Sequence, residues 1–315
     1  MPANAFLTGA AVGNREDLTD VIWNTAPTDT PFLSSIEKVE ATNVTHEWQR
    51  DVLAAAANNA VAEGADASYT AVVATARLSN QTQISRKSFS ITWTQEVVRK
   101  AGRKSEVRYQ TVKQGKELRR DMEIACIENP TFTTGATRQT KGLCGFCVTN
   151  PGNNGGAPPA FPNTGPTDGT LRNFTEAVLR TAVLGAFTNG GNPDYLLVAP
   201  AIKQSISSNW TGGGAVGSTN RTTFITADDR KLQAAYDVYR SDFGEFKIVP
   251  NRTMARTREA YLVDPSLCAI AMLRDMQTSQ MATIGSADNY IIESEYALEV
   301  REERGLAACR DIQAY

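Results

Sequence analysis

An α+β fold is predicted, because the sequence places a long helix, alternating strands and a compact α/β stretch one after another. The helix spans 105–129, where apolar or small residues recur with the three-four alternation of one helical stripe. Apolar and polar residues alternate around Phe89 and Ile91, and again between 293 and 300, which predicts half-buried strands. From 170 to 261 helix and strand signals follow each other closely, as in a subdomain with a central sheet.

The predicted helix begins and ends at clear signals. Ser105 is an N-cap candidate, and Pro130 ends the helix because the residue before a proline avoids helical backbone. At about 1.5 Å per residue the helix is roughly 36 Å long. Its narrow apolar stripe predicts that Leu118 and Met122 pack on a sheet, along which the helix lies as a spine. An ordinary amphipathic surface helix is the alternative.

Charge is unevenly distributed along the chain. Between 99 and 120 there are nine Lys or Arg and two Glu, 9 − 2 = +7, whereas from 288 to 304 the balance is 2 − 6 = −4. The two segments are expected either to attract each other, within the fold or between subunits, or to be separate solvated faces. On the helix itself Arg119 and Glu123 are one turn apart, so an ion pair is expected.

The composition is that of a globular protein. The 315 residues are 41% hydrophobic and 21% charged, and no apolar run approaches the roughly 18 residues of a membrane span, so no membrane partner is expected. A formal net charge of −2 argues against a dedicated nucleic-acid reader. The chain starts without a basic and then apolar secretory pattern, so the five cysteines are expected to be mostly reduced.

Residues 1–43 are expected to form an arm. The backbone is extended between Pro27 and Pro31, and the apolar residues around it lack a core of their own. They are candidate assembly contacts that would anchor the arm on another surface: Ile22, Trp23, Phe32, Leu33 and Ile36.

A long hairpin is expected after the arm. One strand is predicted at 44–50 and another at about 78–94. The connection from 52 to 76 consists almost entirely of small residues, so it is expected to be extended and mobile. Because an isolated hairpin is marginal in water, this one should rest on a neighbouring subunit. The candidate assembly contacts on it are Trp48, Val61, Tyr69, Phe89 and Trp93.

Few groups of residues carry recognisable chemistry. Cys144 and Cys147 form a CxxC pair, a redox or half-zinc pattern, but the pair lies in the Gly/Pro-rich loop from 130 to 170 and no second pair completes a zinc site. The stretch 212–217 lacks the Lys-Ser/Thr of a phosphate loop, which favours a mobile tip. The one histidine, His46, forms neither a triad nor a metal site alone. No enzymatic activity, cofactor or metal is expected.

Three stretches in order carry a resemblance to a known family. They are DLTDVIWNTAPTDTPFLSSI (17–36), FKIVPNRTM (246–254), and the terminal run from AYLVDPS (260–266) through IGSADNYIIESEYALEVREERGLAACRDI (284–312). With its order of arm, hairpin, helix, α/β region and long strands, the chain resembles the major capsid proteins of tailed bacteriophages with the Hong Kong 97 fold, in particular the SU10-like group. Unlike some members, it begins without a long charged scaffolding segment.

The resemblance implies a division of the chain into the parts of a capsid subunit. These parts are an N-terminal arm (1–43), an extended loop or E-loop (44–95), a peripheral domain with the spine helix at 105–129 (96–169), an axial domain (170–261) and long strands that complete the peripheral domain (262–315). The E-loop would lie across a neighbouring subunit.

The resemblance also implies a function and partners. Copies would form hexamers and pentamers of an icosahedral shell around packaged double-stranded DNA, in the virion, after assembly in the host cytoplasm with a portal protein and a scaffold. Basic residues before the helix would contact DNA phosphates without sequence preference, or else a neighbouring subunit. These are Arg99, Lys100, Arg103 and Lys104. The alternatives are an encapsulin-like compartment shell and a CxxC oxidoreductase.

Overall fold

The computed structural model describes residues 27–67, 69, 71–210, 237–283 and 285–314, so Trp23 and the stretch 212–217 lie outside it. In the described ranges the helices are α1 (Pro31–Ser35), α2 (Trp93–Val97), α3 (Glu106–Glu128), α4 (Leu143–Phe146), α5 (Glu176–Thr188) and α6 (Pro200–Asn209). The strands are β1 (Glu37–Glu40), β2 (Thr45–Arg50), β3 (Ala76–Gln81), β4 (Gln83–Thr92), β5 (Arg172–Asn173), β6 (Tyr195–Val198), β7 (Val238–Ser241), β8 (Gly244–Pro250), β9 (Ala260–Val263), β10 (Cys268–Met281), β11 (Ala287–Val300), β12 (Ala307–Cys309) and β13 (Ile312–Gln313).

A four-stranded sheet carries the long helix. Its strand order is β1-β10-β11-β4, and α3 lies against β4 and β11. The two longest strands, β10 and β11, run antiparallel, with Cys268 opposite Val300 at one end and Met281 opposite Asn289 at the other. The alternation of side chains along β11 therefore turns one face of the sheet towards the helix.

Helix α3 follows the predicted helix within one residue at each end. The Ser105 hydroxyl accepts the Arg108 N–H at 3.3 Å, as an N-cap does. Leu118 and Met122 are buried on the face that meets the sheet, which confirms the predicted stripe. In its last two turns the helix is buried on further sides, where Cys126 and Ile127 join the main core.

The predicted hairpin is divided between two sheets. β2 and β3 form an antiparallel pair, with Thr45 opposite Gln81 and Arg50 opposite Ala76. The predicted strand 78–94 breaks at Thr82, whose N–H donates to Val44 O at 2.8 Å, and the next strand, β4, pairs with β11 instead. One continuous strand was therefore the wrong expectation, because a buried threonine turns the backbone from one sheet to the other.

A five-stranded sheet, covered by two helices, forms the second structural unit. Its order is β12-β9-β6-β8-β7, with β6 and β8 parallel and the other pairs antiparallel. Helices α5 and α6 cover it and enclose a second core that includes Phe174, Leu179, Ile202 and Phe246. Most elements of this unit lie between 170 and 261, where the α/β pattern was predicted.

The C-terminal strands differ from the expectation. β12 was expected beside the long strands of the peripheral domain, but it pairs with β9 in the five-stranded sheet, with Ala307 opposite Leu262. Three small, fully buried residues form β12, which suits a strand covered on both faces by α5 and the core. β9 itself crosses the predicted border between 261 and 262, and the domain borders remain predictions.

The stretch from 130 to 170 has little regular structure, as expected, but it is packed into the protein. Thr140 and Lys141 are fully buried, and Asn80 Nδ2 donates to Lys141 O at 3.0 Å and to Leu298 O at 2.6 Å. Side chains from other elements thus form hydrogen bonds with backbone groups that have no partner in a described helix or strand. Among the described helices, none is both long and apolar enough to cross a membrane.

Candidate assembly surfaces

The arm residues Phe32 and Leu33 are buried in the core of their own subunit. They lie in α1, whose first N–H groups point at a carboxylate on α3. Phe32 N donates to Glu123 Oε1 at 2.9 Å, and Leu33 N donates to Glu123 Oε2 at 2.8 Å. The expectation that these two residues anchor the arm on another surface is corrected here, because they bind the arm to the spine helix of the same chain.

Glu123 is a fully buried carboxylate with several donors. It also accepts Asn251 Nδ2 at 2.9 Å, so it joins α1, α3 and the loop after β8. Burial raises the pKa of the Glu123 carboxyl, while the N–H donors of α1 act in the opposite direction. Arg119 was expected to form an ion pair with it, but it donates hydrogen bonds to the hydroxyls of Thr30, the N-cap residue of α1, and of Ser34 in the same helix.

Trp48 lies at the base of the β2–β3 hairpin and faces its own subunit. Its Nε1 donates to Val300 O at 2.8 Å, and its ring centroid lies 6.0 Å from that of Phe146. The side chain is half-buried against the main core. Instead of reaching a neighbouring subunit, Trp48 holds the hairpin to the end of β11.

His46, two residues earlier on the same face of β2, strengthens this attachment. Its Nε2 lies 2.8 Å from Glu299 Oε2 on β11. The hydrogen bond from His46 is the largest cause that lowers the pKa of Glu299, and Arg301 adds to it. The single histidine therefore positions the hairpin.

The connection between the hairpin strands, residues 51–75 where described, contains neither helix nor strand and holds its apolar side chains in solvent. Val61 is 84% exposed and Tyr69 is 96% exposed. Leu53, Val72 and Val73 are exposed to a similar degree. No described residue covers these side chains, so of the predicted contacts Val61 and Tyr69 are left open for a neighbour, with Leu53, Val72 and Val73 beside them.

Phe89 and Trp93 differ in their surroundings. Phe89 is half-buried on β4 and stacks on Tyr290 of the neighbouring strand, with ring centroids 5.3 Å apart. Trp93 was expected on a strand but is the first residue of α2, after Thr92 caps the helix by accepting the Gln95 N–H. Its side chain is 49% exposed and remains available for a contact.

The four basic residues before α3 fall into two groups. Arg99 and Lys104 are exposed. Lys100 Nζ donates to a backbone oxygen one turn earlier at 2.8 Å, and its side chain is largely covered. Arg103 pairs with the glutamate that begins α3 and lies over a tyrosine ring, 5.0 Å from its centroid. Lys100 and Arg103 are therefore engaged within the chain, and the contact of the four residues with DNA or with a neighbouring subunit remains a prediction.

Cys144 and Cys147 are buried beside α3 as free thiols. Burial raises the pKa of the Cys144 thiol to about 11 and that of Cys147 to about 12. Both are protonated at neutral pH, and a thiol without its thiolate form is a weak nucleophile and metal ligand. Within the part of the chain that the structure describes, no group of three or more His, Cys, Asp or Glu could hold a metal. The pair was expected to pack within a loop, but it lies in the core, at the short helix α4.

A buried charged cluster beside Cys144 had no signal in the sequence. Arg310 donates to Cys144 O at 2.5 Å, and its Nε lies 3.8 Å from Glu259 Oε1. Arg256 donates to the same carboxylate oxygen at 2.9 Å, and the Tyr261 hydroxyl donates to the other oxygen. Two guanidinium groups thus compensate a buried carboxylate, as a buried charge requires. The residues are brought together by pairings distant in sequence.

The burial of Lys141 was also not predicted, because the residue lies in the stretch from 130 to 170 that was predicted to be loop. Its Nζ donates to Pro162 O at 3.3 Å and lies 4.9 Å and 5.1 Å from the ring centroids of Phe146 and Phe161. Burial lowers the pKa of Lys141 to about 8. The two aromatic faces partly replace the water that the ammonium group loses.

The fold as a whole is similar to that of chains in phage capsids. The Cyanophage A-1(L) capsid asymmetric unit contains a chain that matches with a TM-score of 0.69 at 14% identity, covering 97% of this chain and 98% of that chain. A chain of the capsid of the native GTA particle matches with a TM-score of 0.65 at 12% identity, covering 96% of each. The predicted Hong Kong 97-like α+β fold is confirmed.

The chain belongs to the SU10 major capsid protein family, whose model matches residues 3–313. A curated relative, the major capsid protein of Escherichia phage Phieco32, is 28% identical over 323 residues, which is 88% of each chain. The protein is a major capsid protein of a tailed phage, as the sequence resemblance predicted, and the encapsulin-like and oxidoreductase alternatives fall away.

Proposed function

We propose that copies of this chain assemble as hexamers and pentamers into an icosahedral head shell that encloses double-stranded DNA. The observation that carries the proposal is the exposed connection at 51–75, with Val61 and Tyr69 almost fully in solvent. Such side chains are unfavourable in a monomer and favourable between subunits.

The connection acts as the E-loop in this proposal. Its described backbone pairs with no described strand, so it can add to a surface of a neighbouring copy. The base of the hairpin supports this role, because Trp48 and His46 hold it to β11 and the connection projects from a fixed position. Trp93, half-exposed at the start of α2, is a second candidate contact.

Further partners follow from the same proposal. A portal protein and a scaffold take part in assembly, which occurs in the host cytoplasm, and packaged DNA is bound through its phosphates without sequence preference. The chain contributes structure and not catalysis. The buried, protonated thiols of Cys144 and Cys147 support this view.

Negative-stain electron microscopy and light scattering of the purified chain test the proposal. Closed shells or hexamer and pentamer rings are expected as the concentration rises. A protein that stays monomeric at every salt concentration and with crowding agents would contradict it.

A further inference from the structure

The outward face of α3 carries a row of cations. Residues four apart lie above one another on a helix, so Arg108, Val112, Lys116 and Arg120 form one line with Lys113 beside it. Arg108, Lys113 and Lys116 are exposed, and Val112 between them is exposed too. From 108 to 120 there are five Lys or Arg against Glu117, a balance of 5 − 1 = +4. We call this row, with Lys113, the α3 basic face.

The acidic segment, one of two possible partners considered for these charges, forms ion pairs elsewhere. Glu293 and Glu295 on β11 pair with arginines of β4, β10 and the loop before α4. Glu299 pairs with His46 and Arg301. Among the described residues, Arg108, Lys113 and Lys116 have no ion-pair partner. In the part of the chain that the structure describes, no ion pair therefore joins the two charged segments, although α3 lies against β11.

We propose that the α3 basic face binds the phosphate backbone of duplex DNA inside the shell, an inference that rests on the proposed function. The face extends about 18 Å from 108 to 120, and a duplex presents one phosphate charge per roughly 1.7 Å of its axis. Residues 1–26, another candidate occupant, carry a charge of only 1 − 3 = −2. A polyanion supplies the negative charge that this face lacks, and exposed cations without an ion-pair partner among the described residues suit contacts that ignore base sequence.

Binding of a fluorescent 30-base-pair duplex to the unassembled full-length chain, by anisotropy between 50 and 200 mM salt, tests this assignment. The variant Arg108→Gln/Lys113→Gln/Lys116→Gln removes three cations of the face. Each lost phosphate contact should reduce the slope of log K against log salt by about 0.9, so a decrease of about 2–3 is expected. The matched control, Lys38→Gln/Arg240→Gln/Lys247→Gln, removes three exposed cations elsewhere and should keep the wild-type slope.

A charge-conserving variant, Arg108→Lys/Lys113→Arg/Lys116→Arg, should also keep the slope, which separates charge from folding. Equal slopes for the α3 variant and the wild type, or an equal loss in the control, would overturn the proposal. DNA binding that emerges only after residues 1–26 are deleted would overturn it as well, because that segment would then be the occupant. Electron microscopy of the same proteins reports on shell formation separately, so a failure of assembly is distinguishable from a failure of DNA binding.

Discussion

Glu123 shows how one side chain joins distant parts of the chain. It faces the N–H groups that begin α1, which carry partial positive charge and have no partner inside that helix. It also accepts from Asn251, so a single carboxylate on α3 fixes the arm and the loop after β8. Such a buried charge is tolerated because each oxygen has a donor.

Met122 and Glu117 lie on opposite sides of α3 and should respond very differently to substitution. Met122→Asp places a charge without a partner in the core, where Met122 is 5% exposed, and should cost about 3 kcal/mol or more. Glu117→Ala removes a partly exposed carboxylate and should cost at most about 1 kcal/mol. Thermal unfolding of the two variants measures this difference. Equal Tm values would show that the helix faces the other way.

The thiols of Cys144 and Cys147 should resist alkylation in the folded protein. With pKa values of about 11 and 12 and burial in the core, few thiolates exist at pH 8 and none meets the reagent. Iodoacetamide labelling followed by peptide mass spectrometry measures this reactivity. The same protein in denaturant should label rapidly at both positions, and rapid labelling of the native protein would disprove their place in the core.

At the scale of elements, the β2–β3 hairpin has two parts with different roles. Its base is attached to β11 through Trp48 and His46, and to the segment after β11 through Arg50, which lies near Glu302 and Glu303. The described residues of its connection at 51–75 make no such contacts with β11 and are exposed. A fixed base with a free end is what a contact with a neighbouring subunit requires.

The pair of His46 and Glu299 should make the attachment of the hairpin sensitive to acid. The folded-state pKa of Glu299 lies below its ordinary value of 4.5, so its stabilising effect is complete above pH 4.5 and is lost as the pH falls through the lowered pKa. Between pH 7 and pH 3, the free energy of unfolding should therefore decrease more in the wild type than in Glu299→Gln. Urea unfolding at several pH values measures both curves. Parallel curves would show that the pair contributes nothing.

The elements with strong local patterns were predicted well, and those set by distant pairing were not. The stripe of α3 is a local property and is present as predicted. The alternation of β11 correctly predicted a strand, but not a half-buried one, because residues 294–300 are buried on both faces. The break at Thr82 depends on Val44 and Glu295, which are far away in sequence, so no local signal marks it. The position of β12 likewise depends on its partner β9.

At the scale of the whole molecule, the family and fold were predictable but the division between core and assembly surface was only partly so. Val61 and Tyr69 lie in a segment of small residues, and this composition predicts that no core surrounds them. Phe32, Leu33 and Trp48 are apolar residues in weakly patterned segments. The sequence pattern of such residues is the same whether the surface that covers them belongs to the same chain or to another chain. The structure supplies that surface in α3 and β11.

The connection of the hairpin leads to a prediction about assembly. Deletion of Ala54–Ala67 should leave each subunit folded, because this segment has no place in either core and the register from Thr45–Gln81 to Arg50–Ala76 is retained. Shell assembly should be impaired, because the deletion removes about 14 residues, each of which extends roughly 3.3 Å, from the part that reaches a neighbour. Circular dichroism and melting report on folding, and electron microscopy reports on shells.

A length-preserving control separates reach from apolar contact. Val61→Ser keeps the length of the connection and removes one exposed apolar side chain. If the length of the connection matters most, Val61→Ser should weaken assembly less than the deletion does. If the valine is the main contact, the two changes should weaken assembly equally. Either ranking is compatible with the E-loop assignment, which depends on the deletion. If the deleted protein fails to fold, the segment belongs to the core of the subunit. If it forms normal shells, no neighbour needs the connection, and the side chains at 51–75 are exposed in the virion as they are in the single subunit.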